Sequence, residues 1–221
     1  MKYEAILFDL DGTLTDTLGD LANSVNFALR ESGFPERTLG EVKSFVGNGV
    51  RRLIYLSVPD NADEETAEKC LSVFKEYYKN HSLVETRPYD GIISMLESLK
   101  KQGIKIAVVT NKMHEAAEDI VRIFFGDLID ITLGQVDGVA QKPQPDGIHH
   151  VLKKLGISKG KAIYVGDSEV DCITAKNAEI PCVAVSWGFR DKSVLAENGA
   201  DFIADTPEDV INYCKQNDLI L

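Results

Sequence analysis

Asp9 and Asp11 close a short apolar run and are followed by Gly12 and Thr13; far downstream, Gly166-Asp167-Ser168-Glu169-Val170-Asp171 places two more carboxylates after another apolar run. An Asp beside a Gly on its own reads as an Asx turn or a helix cap. Gathering several carboxylates at one place sets like charges against one another, and a bound hard cation resolves that conflict. Mg²⁺ takes oxygen ligands, keeps waters and is commonly held by one or two carboxylates together with phosphate oxygens, which suits this inventory better than zinc. Two further residues extend the chemistry. Thr110 follows the apolar run Ile106 to Val109, and Lys142 stands in Gln141-Lys142-Pro143-Gln144-Pro145, where prolines stiffen its approach. A lone Lys is ordinarily a solvated charge, but a hydroxyl and an ammonium aimed at one point would hold a phosphoryl group.

These side chains are far apart in sequence, so the elements that carry them must bring them together. Ala5-Ile6-Leu7-Phe8, Ile104 to Val109, Ile129 to Leu133, Ala162 to Val165 and Cys182 to Val185 are short continuous apolar runs. Such runs suit strands of a parallel sheet covered on both faces. Between them lie helical spacings, such as Ile92, Leu96 and Leu99, or Ile148, Val151, Leu152 and Leu155 ending at Gly156, where a helix C-terminus favours glycine. The alternation predicts an α/β fold, a doubly wound parallel sheet. In such sheets the ligand crevice lies at the carboxyl ends of the strands, where Asp9, Thr110 and Asp167 fall.

The stretch from 16 to 83 breaks the alternation. Leu18, Leu21, Ala22, Val25 and Leu29 mark one helical stripe, and Ala67, Cys70, Leu71, Phe74, Tyr77 and Tyr78 another, with Gly47-Asn48-Gly49 as a turn between helices. The expected organisation is a core of residues 1–15 and 84–221 with a small all-helical domain, 16–83, inserted after the first strand.

Across 221 residues the composition is 44% hydrophobic and 27% charged, that of an ordinary folded protein. A net charge of −11 without a basic run argues against nucleic acid and anionic membranes as partners. A small anion remains compatible, because a cation, a Lys and backbone N–H groups reverse the field locally. The N-terminal apolar run is too short for a signal peptide and no segment reaches a membrane-spanning length, so a cytoplasmic location is expected. Cys70, Cys172, Cys182 and Cys214 form no C-x-x-C pair and read as free buried thiols. His149-His150, His81 and His114 lack the spacing of a zinc site. Trp187 reads as an indole closing the edge of the core.

Taken in order, Asp9-x-Asp11-Gly12-Thr13, Thr110-Asn111, Lys142-Pro143-x-Pro145 and Gly166-Asp167-Ser168-x-x-Asp171 match the motifs of the haloacid dehalogenase superfamily. The chain resembles its phosphoglycolate phosphatase-like branch over nearly its whole length. The resemblance implies a Mg²⁺-dependent phosphatase acting on small phosphorylated metabolites, 2-phosphoglycolate foremost; the sequence leaves the oligomeric state open between monomer and homodimer. By that resemblance Asp9 is the nucleophile that attacks phosphorus, and Asp11 the acid that protonates the leaving alkoxide and later deprotonates water. Thr110 and Lys142, with Asn111 beside them, hold the phosphoryl oxygens. Asp9, the main-chain carbonyl of Asp11 and Asp167 bind Mg²⁺, with Asp171 a direct or water-mediated supporter. The helical insertion resembles the family's cap, and Val46-Gly47-Asn48-Gly49 its substrate-specificity loop. Arg51, with Arg52 as the neighbouring alternative, is then placed to approach a substrate carboxylate.

Other chemistries of the same superfamily leave specific marks. Alkyl halides need no proton on the leaving group, so Asp11 argues against dehalogenation. Phosphonate cleavage needs a Schiff-base Lys in the cap, where Lys43, Lys69, Lys75 and Lys79 lie, yet Asp11 again favours an ester. A hexose-phosphate mutase or a pyrophosphatase would share the core motifs. From another class, an aspartate-phosphorylated signalling switch also joins strand-end aspartates, a Thr and a Lys around Mg²⁺, but the length, the motif order and the helical insertion argue against it.

Overall fold

The computed structural model describes residues 2–216. The chain divides into two compact units, one made of the residues up to Thr15 and from Pro88 onward, the other of Asp16–Arg87. Along the chain the strands are β1 (Ala5–Phe8), β2 (Thr15–Asp16), β3 (Arg87–Pro88), β4 (Lys105–Met113), β5 (Ile131–Gln135), β6 (Ala162–Gly166), β7 (Cys182–Val185) and β8 (Phe202–Ala204). The helices of the second unit are α1 (Leu18–Glu31), α2 (Leu39–Phe45), α3 (Gly49–Ser57) and α4 (Glu64–His81). Those of the first are α5 (Ile92–Lys101), α6 (His114–Phe124), α7 (Asp146–Leu155), α8 (Glu169–Ala178), α9 (Lys192–Glu197) and α10 (Pro207–Gln216).

Six strands form one parallel sheet in the order β5-β4-β1-β6-β7-β8. β1 is central, with Ile6 opposite Ile106 on one side and Ile163 on the other, and all four of its side chains are fully buried. That position explains the unbroken apolar run, since both faces of the strand meet helices. From β1 the chain builds outward through β4 and β5, then crosses to the other side for β6, β7 and β8. The order reverses at β1, so the carboxyl ends of β4, β1 and β6 stand side by side at the switch point of the sheet, where such folds form their crevice.

The helices bury the stripes expected of them: Ile92, Met95, Leu96 and Leu99 on α5, and Ile148, Val151 and Leu152 on α7, which stops at Gly156 with φ 70°. β4 runs past the expected end at Val109 to Met113, carrying Thr110, Asn111 and Lys112 into the buried interior. β8 was not anticipated, because three residues of which only Ala204 is fully enclosed give no pattern to read.

The second unit is entirely helical apart from its terminal strand residues. α1 buries Leu21, Ala22, Val25, Ala28 and Leu29, while α4 buries Ala67, Cys70, Leu71, Phe74 and Tyr78. Tyr77, expected in the same stripe, is half-buried and stacks between Phe27 and His81, with ring centroids 3.8 Å away on each side. Gly47 and Gly49 adopt φ of 126° and 78°, the left-handed geometry that lets the chain turn from α2 into α3. The unit continues past residue 83 because the main-chain N–H groups of Val84, Glu85 and Thr86 donate to the buried carboxylate of Asp20 at 2.9–3.1 Å, and the Thr86 hydroxyl joins them at 2.7 Å.

Candidate active site

Asp9 leaves the end of β1, Thr110 sits on β4 and Asp167 follows β6, so the sheet order sets them beside one another. α8 brings in Asp171. The carboxylates of Asp9, Asp167 and Asp171 each offer an oxygen within 4.8 Å of the others, and all three residues are buried. Among the described residues this is the one group of three or more acidic, His or Cys side chains gathered closely enough to hold a metal.

Lys142 enters the middle of the cluster. Its Nζ lies 2.9 Å from Asp9 Oδ2 and 2.7 Å from Asp171 Oδ1, and donates to the Tyr164 hydroxyl at 3.0 Å. The Tyr164 hydroxyl in turn donates to the Val109 carbonyl at 2.7 Å. Asn111 fixes the backbone of this lysine: its Nδ2 donates to the Lys142 carbonyl at 3.0 Å and its Oδ1 accepts from the Lys142 N–H at 2.9 Å. The Thr110 hydroxyl bonds to Asp9.

Asp171 holds the loop around it. Its Oδ2 accepts from the Asp167 N–H, the Ser168 N–H and the Ser168 hydroxyl at 3.1, 3.0 and 2.6 Å, a capping box that starts α8. Asp167 accepts from the Thr13 hydroxyl at 2.9 Å and the Phe189 N–H at 2.8 Å. Gly12 and Gly188 make this packing possible. A Cβ on Gly12 would overlap the Asp167 carboxylate, and one on Gly188 would overlap Asp167 and the Gly12 carbonyl oxygen. The Trp187 indole N–H donates to the Thr13 carbonyl at 3.0 Å, so the indole anchors the first acidic loop.

Asp9 and Asp171 share the Lys142 ammonium while Asp167 lies beside them, and the excess negative charge appears in the proton affinities of Asp9 and Asp167. Burial pushes the Asp9 carboxyl up to about 6; Lys142 opposes the rise and the charge of Asp171 adds to it. Burial, then the charges of Asp171 and Asp9, push Asp167 up to about 8. For Lys142, burial favours the neutral amine, but Asp171 and Asp9 outweigh it and hold the ammonium above its ordinary range. The same burial and the same two carboxylates keep the Tyr164 phenol protonated. The rise in both carboxyls is the cost of gathering like charge in a buried place, and a cation in an all-oxygen donor set of this kind removes that cost.

Sequence reasoning missed Lys112. It lies two residues beyond Thr110 on β4, and its Nζ pairs with Asp11 Oδ1 at 2.9 Å, with the lysine side chain 2% exposed. Strand alternation gave no guide to it, because the pairing of β4 with β5 shifts register between Val109 and Met113. The other residues singled out from the sequence belong to the helical unit. Asn48 stands at the residue before α3, between Gly47 and Gly49, and its side chain makes no capping hydrogen bond to the helix. Arg51 projects from α3 over the Tyr55 ring and pairs with Glu68 at 2.9 Å and Glu64 at 3.6 Å.

A family model described as haloacid dehalogenase-like hydrolase matches residues 6–185. A phosphoglycolate phosphatase of Neisseria meningitidis is 35% identical over 202 residues, which span 89% of this chain and 86% of that protein. A phosphoglycolate phosphatase of Aquifex aeolicus is 34% identical over 207 residues, 93% of this chain and 94% of its own. A crystal structure from Lactobacillus delbrueckii subsp. bulgaricus superposes with a TM-score of 0.90 at 35% identity, covering 95% of this chain and 97% of that one.

Proposed function

The chain belongs to the haloacid dehalogenase-like hydrolases, and from that premise we propose that it is a Mg²⁺-dependent phosphatase that hydrolyses small phosphate monoesters through a phosphoaspartate on Asp9. The observation that carries this reading is the seat of Asp9: a strand-end carboxylate with Lys142 at 2.9 Å, the Thr110 hydroxyl bonded to it and Asp167 alongside.

The donor set fits the ion. Asp9, Asp167 and the main-chain carbonyl of Asp11 would hold it, while both Asp171 oxygens already serve Lys142 and the 167–168 backbone, which makes Asp171 the support of the site. When bound, Mg²⁺ supplies positive charge for the phosphoryl oxygens and for the carboxylates around them. Asp9 attacks phosphorus as the ester oxygen leaves, and Asp11 gives that oxygen its proton. In the second half Asp11 takes a proton from water as the water oxygen bonds to phosphorus, and the Asp9–phosphorus bond breaks to release phosphate. Lys142 and the Thr110 hydroxyl hold the phosphoryl oxygens throughout, and Asn111 serves them by fixing the Lys142 backbone. Phosphoryl transfer asks for little beyond this positioning and charge neutralisation.

Relatives named phosphoglycolate phosphatase favour 2-phosphoglycolate as substrate. Substrate choice is assigned to the helical unit, to Gly47, Asn48, Gly49 and Arg51, whose guanidinium would exchange the Glu64 and Glu68 carboxylates for that of the substrate. The reading is tested by phosphate release with and without Mg²⁺ across 2-phosphoglycolate, hexose phosphates, nucleotides, pyrophosphate and an aryl phosphate. It expects full chelator sensitivity and 2-phosphoglycolate at the head of the panel. Activity after exhaustive metal removal would refute the ion, and a lead by pyrophosphate or a hexose phosphate would refute the substrate.

A further inference from the structure

β4 does more than deliver Thr110. Two residues on, Lys112 is almost completely buried, with its Nζ 2.9 Å from Asp11 Oδ1, and Asp11 itself stands two residues beyond Asp9. Two contacts therefore repeat one step apart along neighbouring segments: the Thr110 hydroxyl with Asp9, then the Lys112 ammonium with Asp11. The Lys112 N–H also donates to the Thr110 hydroxyl oxygen at 3.3 Å, which ties the two steps together.

Stability is a poor explanation for this pair. Burying an ammonium is costly, and a buried ion pair commonly contributes no more than an apolar side chain of the same size would. The end of a buried strand is a place where an apolar residue would serve packing well. What an ammonium adds there is a fixed position for the one carboxylate that must meet a leaving oxygen at hydrogen-bond distance.

We propose that Lys112 is the positioning residue of the general acid and base: it grips Asp11 by Oδ1 and so fixes where the other oxygen, Oδ2, exchanges the proton. The assignment rests on the phosphatase reading above, because it acts only through Asp11. In the first half the proton on Asp11 passes to the ester oxygen as its bond to phosphorus breaks. In the second half the same carboxylate accepts a proton from the attacking water. Lys112 itself neither gains nor loses one.

A structural role and a positioning role separate by leaving group. An alkoxide needs the proton from Asp11, whereas 4-nitrophenolate leaves well without it, and kcat/KM reports the step that forms the phosphoenzyme. Lys112→Met is expected to lower kcat/KM for the preferred alkyl phosphate by roughly 10- to 100-fold and for 4-nitrophenyl phosphate by less than about threefold, a part of the full acid–base contribution. Lys112→Arg, which keeps the charge, should recover most of the alkyl activity. In Asp11→Asn the Lys112→Met change should add nothing further to the loss, because its route is already gone. If Lys112→Met fails to fold, Lys112→Gln carries the same comparison of esters. Equal losses on both esters, or a Lys112 effect that multiplies in full with that of Asp11→Asn, would overturn the proposal while the phosphatase reading stands. If Asp11→Asn alone shows no preference between the esters, the acid assignment falls and takes the role of Lys112 with it.

Discussion

Lowering the pH should weaken Mg²⁺ binding by an amount that follows from the charge balance of the acidic cluster. Without the ion, burial pushes Asp9 up to about 6 and Asp167 up to about 8. At pH 7 Asp167 is then protonated roughly ten times out of eleven and Asp9 is mostly ionised. A cation that needs both carboxylates displaces about one proton, so its affinity falls about tenfold per pH unit between pH 8 and 6. The total is about 100-fold, or ~2.7 kcal/mol. Below pH 6 the second carboxylate joins and the slope steepens. The sign for folding is also fixed. These carboxyls have folded-state values above their unfolded one, so their contribution to stability is complete below about pH 4 and is lost as pH rises through 6 and 8. Bound Mg²⁺ restores it, so the rise in Tm on adding Mg²⁺ should grow from pH 6 to pH 8. Isothermal titration calorimetry in two buffers of different ionisation enthalpy counts the protons released, and affinities at pH 6, 7 and 8 give the slope. An affinity that changes less than threefold over that range, with no proton released at pH 7, would refute the reasoning.

Two substitutions test how the site and the helical unit are held. Gly188→Ala places a methyl group against Asp167 and the Gly12 carbonyl; it should cost about 1–3 kcal/mol of stability and weaken Mg²⁺ binding about tenfold or more, and a wild-type affinity by calorimetry would contradict the packing argument. Asp20→Ala leaves the N–H groups of residues 84–86 without their shared carboxylate; urea denaturation should show a loss of about 3 kcal/mol, and a change under about 0.5 kcal/mol would mean that the carboxylate does not hold this segment.

How far the sequence foretells the molecule depends on the range of the interaction that decides each feature. β1, β6 and β7 were legible because burial on both faces forces continuous apolar runs, and α7 because its stripe ends at a glycine that takes a positive φ. Asp9 and Asp167 were legible as strand ends, and Thr110 as the first polar residue after an apolar run although β4 continues past it, since the reversal of strand order brings these distant segments to one crevice. Lys112 was not, because the residue that makes its burial tolerable, Asp11, lies 101 positions away. Gly188 and Tyr164 escaped for the same reason: one is required by the closeness of Asp167 and Gly12, the other by Lys142, and neither requirement leaves a local pattern. The polar end of β4 ran against the apolar rule for buried strands because its side chains are satisfied by the site.

The most direct test of the account is to find the phosphoryl group on the enzyme. The protein is mixed with substrate and Mg²⁺, quenched in acid within the first turnovers, treated with borohydride, which reduces an acyl phosphate of aspartate to homoserine, and mapped by peptide mass. The account predicts homoserine at position 9, dependent on both substrate and Mg²⁺, and absent from Asp9→Asn together with turnover. Homoserine at any other aspartate, or an Asp9→Asn variant that hydrolyses the substrate at the wild-type rate, would contradict it.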